Sequence, residues 1–332
     1  MSAKGRVGTL LSEAAAGDRV SLARLLSVVE RGGPEAKELA ALTYRHPPPY
    51  SVGLTGAPGA GKSTLTDQLI TAVRGGWPAD GAAPEAVDQV AVLAVDPSSP
   101  FSGGAILGDR VRMQGHATDP SVFIRSMATR GHLGGLALAV PEAVRVLGAA
   151  GLPVVIVETV GVGQMEVEVA SATDTTVVVV TPGWGDSMQA NKAGLLEVAD
   201  VLVVNKADRP GVRETRRDLE QMLDLSAPAD WRPPVVDTVA ANGDGVDDLW
   251  AAVADHRAHL DSAGLLETRR AQRLADELRR VLSARIEREV VELSAGEGFA
   301  AAVEAMVEGR LDPYAASDRL LGEGGAGGAS GR

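Results

Sequence analysis

The chain has 332 residues, 32 Lys and Arg against 44 Asp and Glu, a formal charge of −12 and no cysteine. That length suits one large domain with helical extensions or two modest domains, and the missing thiols exclude disulfides, thiolate zinc sites and Cys-x-x-Cys redox chemistry. The acidic balance argues against nucleic acid or an anionic membrane as principal partner, so any phosphate binding has to be local.

Hydrophobic residues make up 45% of the chain and aromatics only 3%, so the core is built from Ala, Val, Leu and Ile. No window is apolar for the length a bilayer needs, and Met1-Ser-Ala-Lys-Gly-Arg6 lacks an apolar signal segment; a cytoplasmic protein is expected. Between residues 6 and 45, Leu10, Leu11, Leu22, Leu25, Leu26, Leu39 and Leu42 recur at helical spacing, and Gly32-Gly33-Pro34 interrupts them. This predicts a small helical extension over 1–48, ended by Pro47-Pro48-Pro49.

The apolar approach Val52, Leu54 runs into Gly56-Ala57-Pro58-Gly59-Ala60-Gly61-Lys62-Ser63, and an amphipathic run with Leu65, Leu69 and Ile70 follows. Strand, glycine loop and helix in this order are what a P-loop requires. Glycines let backbone N–H groups curl around phosphate oxygens, and the new helix adds its positive end. Lys62 is placed to reach the β- and γ-phosphates and Ser63 to ligate magnesium. A nucleoside triphosphate is the expected ligand.

Residues 75–84, rich in Gly, Ala and Pro, read as a surface loop. Val90 to Val95 is apolar at every position, as a strand covered on both faces would be, and ends in Asp96, a carboxylate at the end of the sheet where ligands bind. The stretch from Phe123 to Gly135, with Arg125, Arg130 and His132, reads as a basic loop around the triphosphate, ahead of an apolar helix over 136–147. Val154 to Val157 then delivers Glu158 and, three residues on, Gly161. A carboxylate there would hold magnesium, and the Gly161 N–H would meet the γ-phosphate.

Two further strands follow, Thr176 to Val180 and Val201 to Val204. The second delivers Asn205-Lys206-Ala207-Asp208, in which Asp208 can accept both N–H groups on one edge of guanine; this specifies GTP. Val235-Val236 leads to Thr238-Val-Ala240-Ala241-Asn242-Gly-Asp-Gly245, expected to close over the base, and a helix over 246–259 comes next. Residues 265–295 form a charged helix with Leu274, Leu278, Val281, Leu282, Ile286, Val290 and Leu293 on one stripe, which has to be covered by this chain or a second copy. The expected organisation is an α/β P-loop NTPase domain over 49–260 with a mostly parallel sheet, a C-terminal helical arm over 261–321 and a disordered tail over 322–332.

With Ala94-Val-Asp-Pro-Ser-Ser-Pro100, Gly103 to Met113, Phe123-Ile-Arg to Gly135, Glu158 to Gln164 and Gly194 to Asp200 in view, the chain resembles the ArgK/MeaB family of P-loop GTPases, chaperones of adenosylcobalamin-dependent acyl-CoA mutases. The resemblance implies a phosphate loop over Gly56 to Thr64, magnesium surrounded by Ser63, Asp96, Asp109 and Glu158, and guanine read by Asn205, Lys206 and Asp208. It implies a loop over Gly183 to Lys192 that communicates with the mutase, with Lys192 reporting nucleotide state, and a homodimer through the C-terminal arm. Adenosylcobalamin enters only through the partner enzyme. Trp184 and Asn191 depart from the family pattern, as do Ala240-Ala241 where a Ser-Ala pair often meets the guanine oxygen; backbone N–H groups can still serve there.

Many small GTPases orient the attacking water with a glutamine directly after the motif's glycine, but Val162 stands there and cannot do so. Slow intrinsic turnover follows, raised when a mutase reorders the loops around Gln164, Arg130 or Lys192. Two other readings compete. A metal-delivery GTPase would need Cys or His clusters, which zero cysteines and five scattered histidines do not supply. A non-hydrolysing module would use nucleotide only as a structural ligand.

Overall fold

Apolar runs with no solvent-facing position demand cover on both sides, and the computed structural model places them in one parallel sheet. It describes residues 3–78, 86–97, 114–116, 118–129, 135–159, 172–183, 197–225 and 230–325. Strands β1 (Tyr50–Gly56), β2 (Val90–Pro97), β3 (Val122–Thr129), β4 (Val154–Thr159), β5 (Thr175–Val180), β6 (Val201–Asn205) and β7 (Val235–Thr238) lie in the order β3-β2-β4-β1-β5-β6-β7, each pair parallel. The helices are α1 (Ala3–Ala15), α2 (Arg19–Arg31), α3 (Pro34–Thr43), α4 (Lys62–Arg74), α5 (Gly135–Ala149), α6 (Val212–Leu225), α7 (Val246–Ser262), α8 (Leu265–Ser294), α9 (Glu297–Val307) and α10 (Pro313–Gly325). The expected α/β fold is present. Among the described residues no helix is long and apolar enough to cross a membrane.

Alternate strand residues face opposite layers. Val155 and Val157 join Leu93, Met127, α5 and the N-terminal helices in one cluster. Val154 and Ile156 join Val52, Leu54, α4 and α7 in another. The N-terminal helices are therefore part of the wall of the first core. Asp18 caps α2 by accepting hydrogen bonds from the Val20 and Ser21 N–H groups, and Pro34 opens α3.

Two readings need correcting. Residues 123–129, expected to belong to a basic loop, lie in the edge strand β3. Arg125 does not turn toward the nucleotide loops: its Nη2 donates to Glu30 at 2.9 Å and Ser27 at 3.0 Å, both on α2. The other finding is α6, which the sequence reading passed over; only Thr215 and Leu219 of it are buried.

By internal contacts the chain divides into two units, Met1–Ala275 and Asp276–Arg332. In the first, the opening turns of α8 are tied to the strand starts at the lower edge of the sheet. Arg270 donates to both oxygens of Asp174, at 3.1 and 2.9 Å, Arg273 pairs with the same carboxylate, and Arg269 Nη1 meets Asp200 Oδ1 at 3.0 Å. Fully buried His256 lies 3.2 Å from Asp200 and 2.8 Å from the Thr175 hydroxyl. Burial alone would raise both carboxyls, but the hydrogen bonds and charges of Arg270 and Arg273 hold Asp174 below the usual carboxylate value, and His256 and Arg269 do the same for Asp200.

A group depressed on folding contributes stability above its unfolded pKa, about 4 for Asp, and loses that contribution as pH falls through the lower folded value. Chemical denaturation followed from pH 7 to pH 2 is expected to show stability falling steeply below about pH 4. Asp174→Asn strips the arginines of their charge partner and should cost about 3 kcal/mol at pH 7. Its acid limb should also be shallower; an unchanged limb would show that Asp174 is not the group being titrated.

In the second unit, α9 and α10 pack on each other and leave a cleft of about 370 Å³ lined by Val290, Leu293, Phe299, Met306, Leu320 and others. Leu278, Leu282 and Ile286 of α8 are 59%, 49% and 60% exposed, so among the described residues this part of the predicted stripe has little cover.

Candidate functional site

β1 and α4 are joined by residues 57–61 alone. Gly56 has φ 136°, and a Cβ there would stand 2.1 Å from the Val179 carbonyl oxygen of β5. Gly61, with φ 90°, forms the left-handed N-cap of α4, and its Cβ would stand 2.5 Å from Asn205 Nδ2. Both positions require glycine for space as well as conformation. The result is a bare backbone turn ending on the N-terminus of a 13-residue helix, an arrangement built to hold an anion.

Lys62 and Ser63 open that helix, and both are buried. The Lys62 ammonium donates to the carbonyls of Gly56 at 2.6 Å and Ala57 at 3.0 Å, so it lies across the loop. The Ser63 hydroxyl donates to Glu158 Oε1 at 2.5 Å. Glu158, only 2% exposed, ends the run of buried valines in β4, whose parallel pairing with β1 sets it opposite Leu54. Hydroxyl and carboxylate together are hard oxygen donors of the kind magnesium takes, leaving its other positions to phosphate and water. The donor set fits that ion. Asp96, the next-to-last residue of β2, lies one residue beyond the Val95–Thr159 pairing, at the same end of the sheet.

Across the loop, the end of β6 supplies the second half of the site. Asn205, 1% exposed, donates from Nδ2 to the Ala60 carbonyl at 2.8 Å, and its Oδ1 accepts from the Thr238 hydroxyl and the Ala240 N–H, both at 3.1 Å. One side chain thus pins the phosphate loop to the loop after β7. Lys206 is the one non-glycine residue of positive φ, 61°, among those described, and this turn sends its ammonium to the Gly59 carbonyl at 2.7 Å. Backbone hydrogen bonds from Ala207 to the Thr238 carbonyl and from Arg209 to the Lys206 carbonyl bracket Asp208, which is exposed. Ala241 and Asn242 follow in a turn closed by the Val239–Asp244 bridge, with Asn242 Nδ2 donating to Asp244 at 2.8 Å.

The structure therefore brings Gly56 to Thr64, Glu158, Asn205, Lys206, Asp208 and Ala240 to Asn242 to the C-terminal end of one sheet. Asp109, Arg130, His132, Gly161, Val162, Gln164, Trp184, Asn191 and Lys192 lie outside the described residues, and of Asp96 only the backbone is described. Thr238 was missed. Its role rests on a hydrogen bond to a residue 33 positions earlier, for which no local signal exists.

A phosphate-cradling glycine loop, a buried carboxylate against its serine and an Asn-Lys-x-Asp turn at neighbouring strand ends define a P-loop GTPase. A family model described as "Methylmalonyl Co-A mutase-associated GTPase MeaB" matches residues 22–295. The chain belongs to that family, and it is a GTP hydrolase. It is 45% identical over 323 residues to a putative GTPase of Pyrococcus abyssi, covering 96% of both chains. It is also 38% identical over 275 residues to the GTPase ArgK of Escherichia coli, covering 80% of each. Among solved structures it is similar to one titled "LAO/AO transport system kinase", with TM-score 0.67, 29% identity and coverage of 96% of this chain and 97% of that one.

Proposed function

We propose that this GTPase serves an adenosylcobalamin-dependent acyl-CoA mutase of the methylmalonyl-CoA type, gating the loading, protection or reactivation of its cofactor. The observation that carries the reading is membership of a family described by its association with such a mutase. In this reading Lys62 meets the β- and γ-phosphates, and Ser63 and Glu158, with Asp96 and Asp109, surround magnesium, which supplies charge neutralisation on the transferring phosphoryl. Asn205 and Lys206 hold the guanine loop against the phosphate loop, Asp208 reads the base, and the Ala240, Ala241 and Asn242 backbone closes over it. Gly161, Gln164 and Lys192 act at the γ-phosphate and report its presence to the mutase.

The test is GTP turnover with and without a cognate mutase, together with co-purification of the two in GTP and in GDP. Turnover is expected to be slow alone, to rise when the mutase is added, and to be matched by a nucleotide-dependent change in mutase affinity. Rapid turnover indifferent to every acyl-CoA mutase offered would count against the proposal.

The arm beyond Ala275 acts, in the same reading, as a homodimer contact. Exposed Leu278, Leu282 and Ile286 at i, i+4 and i+8 make a stripe of the kind one helix offers another. Leu282→Glu with Ile286→Glu should halve the mass seen in sedimentation equilibrium without lowering GDP affinity. A mass unaltered by the double substitution would place any self-association elsewhere.

A further inference from the structure

Thr238 is the last residue of β7, 1% exposed, and stands directly opposite Asn205 in the parallel ladder of β6 and β7. In that register the two side chains leave the same face of the sheet. Branching at Cβ leaves threonine few rotamers, and the one adopted sends the Thr238 hydroxyl to Asn205 Oδ1 at 3.1 Å. The main chain of the same residue serves the other half of the turn, its carbonyl accepting from the Ala207 N–H at 3.0 Å. Thr238 thus meets the guanine turn on both sides of Lys206, beside Asn205 and next to Asp208.

Donor and acceptor types fix the direction of these bonds. A backbone N–H only donates, so the amide atom 3.1 Å from the Ala240 nitrogen is the oxygen, and Ala240 and Thr238 together fill both of its acceptor sites. The amide nitrogen carries two hydrogens. One goes to the Ala60 carbonyl at 2.8 Å, and among the described residues the other has no acceptor, which leaves it to a bound base. The terminal torsion of asparagine has broad wells, so hydrogen bonds and not rotamer preference decide where this amide points.

We infer that Thr238 is a positioning residue for the guanine nucleotide, its hydroxyl holding the Asn205 amide in the orientation that both grips Ala60 and faces the base. Buried as it is, Thr238 acts through Asn205 and not on the ligand. Without the hydroxyl, the Ala240 N–H alone sets the amide and the torsion loosens. Binding of the base then weakens more than phosphoryl transfer does, because the phosphate side is held by separate bonds, from Lys62 to Gly56 and Ala57 and from Ser63 to Glu158. The inference rests on the reading of Asn205 and Asp208 as the guanine site.

The test is GDP affinity by calorimetry and steady-state GTP hydrolysis, both on the full-length chain with magnesium. Thr238→Val exchanges the hydroxyl for a methyl group at nearly constant shape and should weaken GDP, and raise KM for GTP, about fivefold, the worth of one hydrogen bond. The rate at saturating GTP should change much less than KM. Thr238→Ser, which keeps the hydroxyl, should bring both constants back to those of the parent chain. If Thr238→Val does not fold, Thr238→Ala measured against Thr238→Ser carries the test. Asp208→Asn is the control for the site itself. GDP affinity unaltered in Thr238→Val while Asp208→Asn weakens it, a saturated rate that falls as far as affinity does, or no recovery in Thr238→Ser would each overturn the inference alone. Should Asp208→Asn leave GDP binding untouched, the guanine-site reading fails and the inference falls with it.

Discussion

Lys62→Ala is expected to lower single-turnover GTP hydrolysis by on the order of 10²–10³-fold, the usual effect of removing one preorganised charge from a transition state in which charge accumulates. The ammonium already lies over the loop, on the Gly56 and Ala57 carbonyls, and a short swing about its stem brings it to the phosphates those residues would surround. Its removal also takes a brace from the two carbonyls, so affinity for GTP should fall together with turnover. Arginine keeps the charge but needs more room than a position 6% exposed allows, and Lys62→Arg should not restore activity. Rapid-quench measurement of enzyme-bound GTP decides the matter. Hydrolysis within twofold of the parent chain would remove Lys62 from the phosphate site.

The second large effect is on base choice. Guanine offers two donors, N1–H and the N2 amino group, on one edge, and a carboxylate accepts both. Hydrogen bonds to a charged group are each worth about 1.5–3 kcal/mol, so Asp208→Asn should cost on the order of 10–100-fold in GTP affinity. The asparagine amide places its own donor against the guanine amino group, yet that donor matches the 2-oxo group of xanthine. Competition between GTP and XTP should therefore shift toward XTP. Because backbone hydrogen bonds on either side hold the turn, melting temperature should barely move. A GTP-to-XTP preference identical in the variant would mean that Asp208 does not face the base.

Much of the nucleotide site could be read without coordinates because its chemistry is local in sequence. A phosphate loop must be glycine-rich, must follow a strand and must open a helix, and Gly56 to Ser63 with its flanks satisfies all three. The uninterrupted apolar runs 90–95, 154–157 and 177–180 specify strands buried on both faces, which only a parallel sheet between helical layers provides. The third strand escaped because it is an edge: Arg125 breaks its apolar pattern and is neutralised by Glu30, a residue 95 positions away on helix α2. Helix α6 escaped because just two of its residues are buried, so little of its sequence records the core it touches.

What the residues alone determined is the ligand class and the layered α/β plan, since backbone-cradled phosphate, base recognition and two-sided strand burial are each imposed within a few consecutive positions. What only the tertiary structure decided is the use of charge. On α8 the arginines read as a solvated face, yet Arg269, Arg270 and Arg273 reach back 69, 96 and 99 positions to Asp200 and Asp174 and fix the root of the arm beneath the sheet. Likewise Asn205 ties the phosphate loop to the guanine loop through Ala60, Thr238 and Ala240. Attraction between groups so far apart along the chain depends on the path the fold takes, and no spacing in a linear sequence records that path.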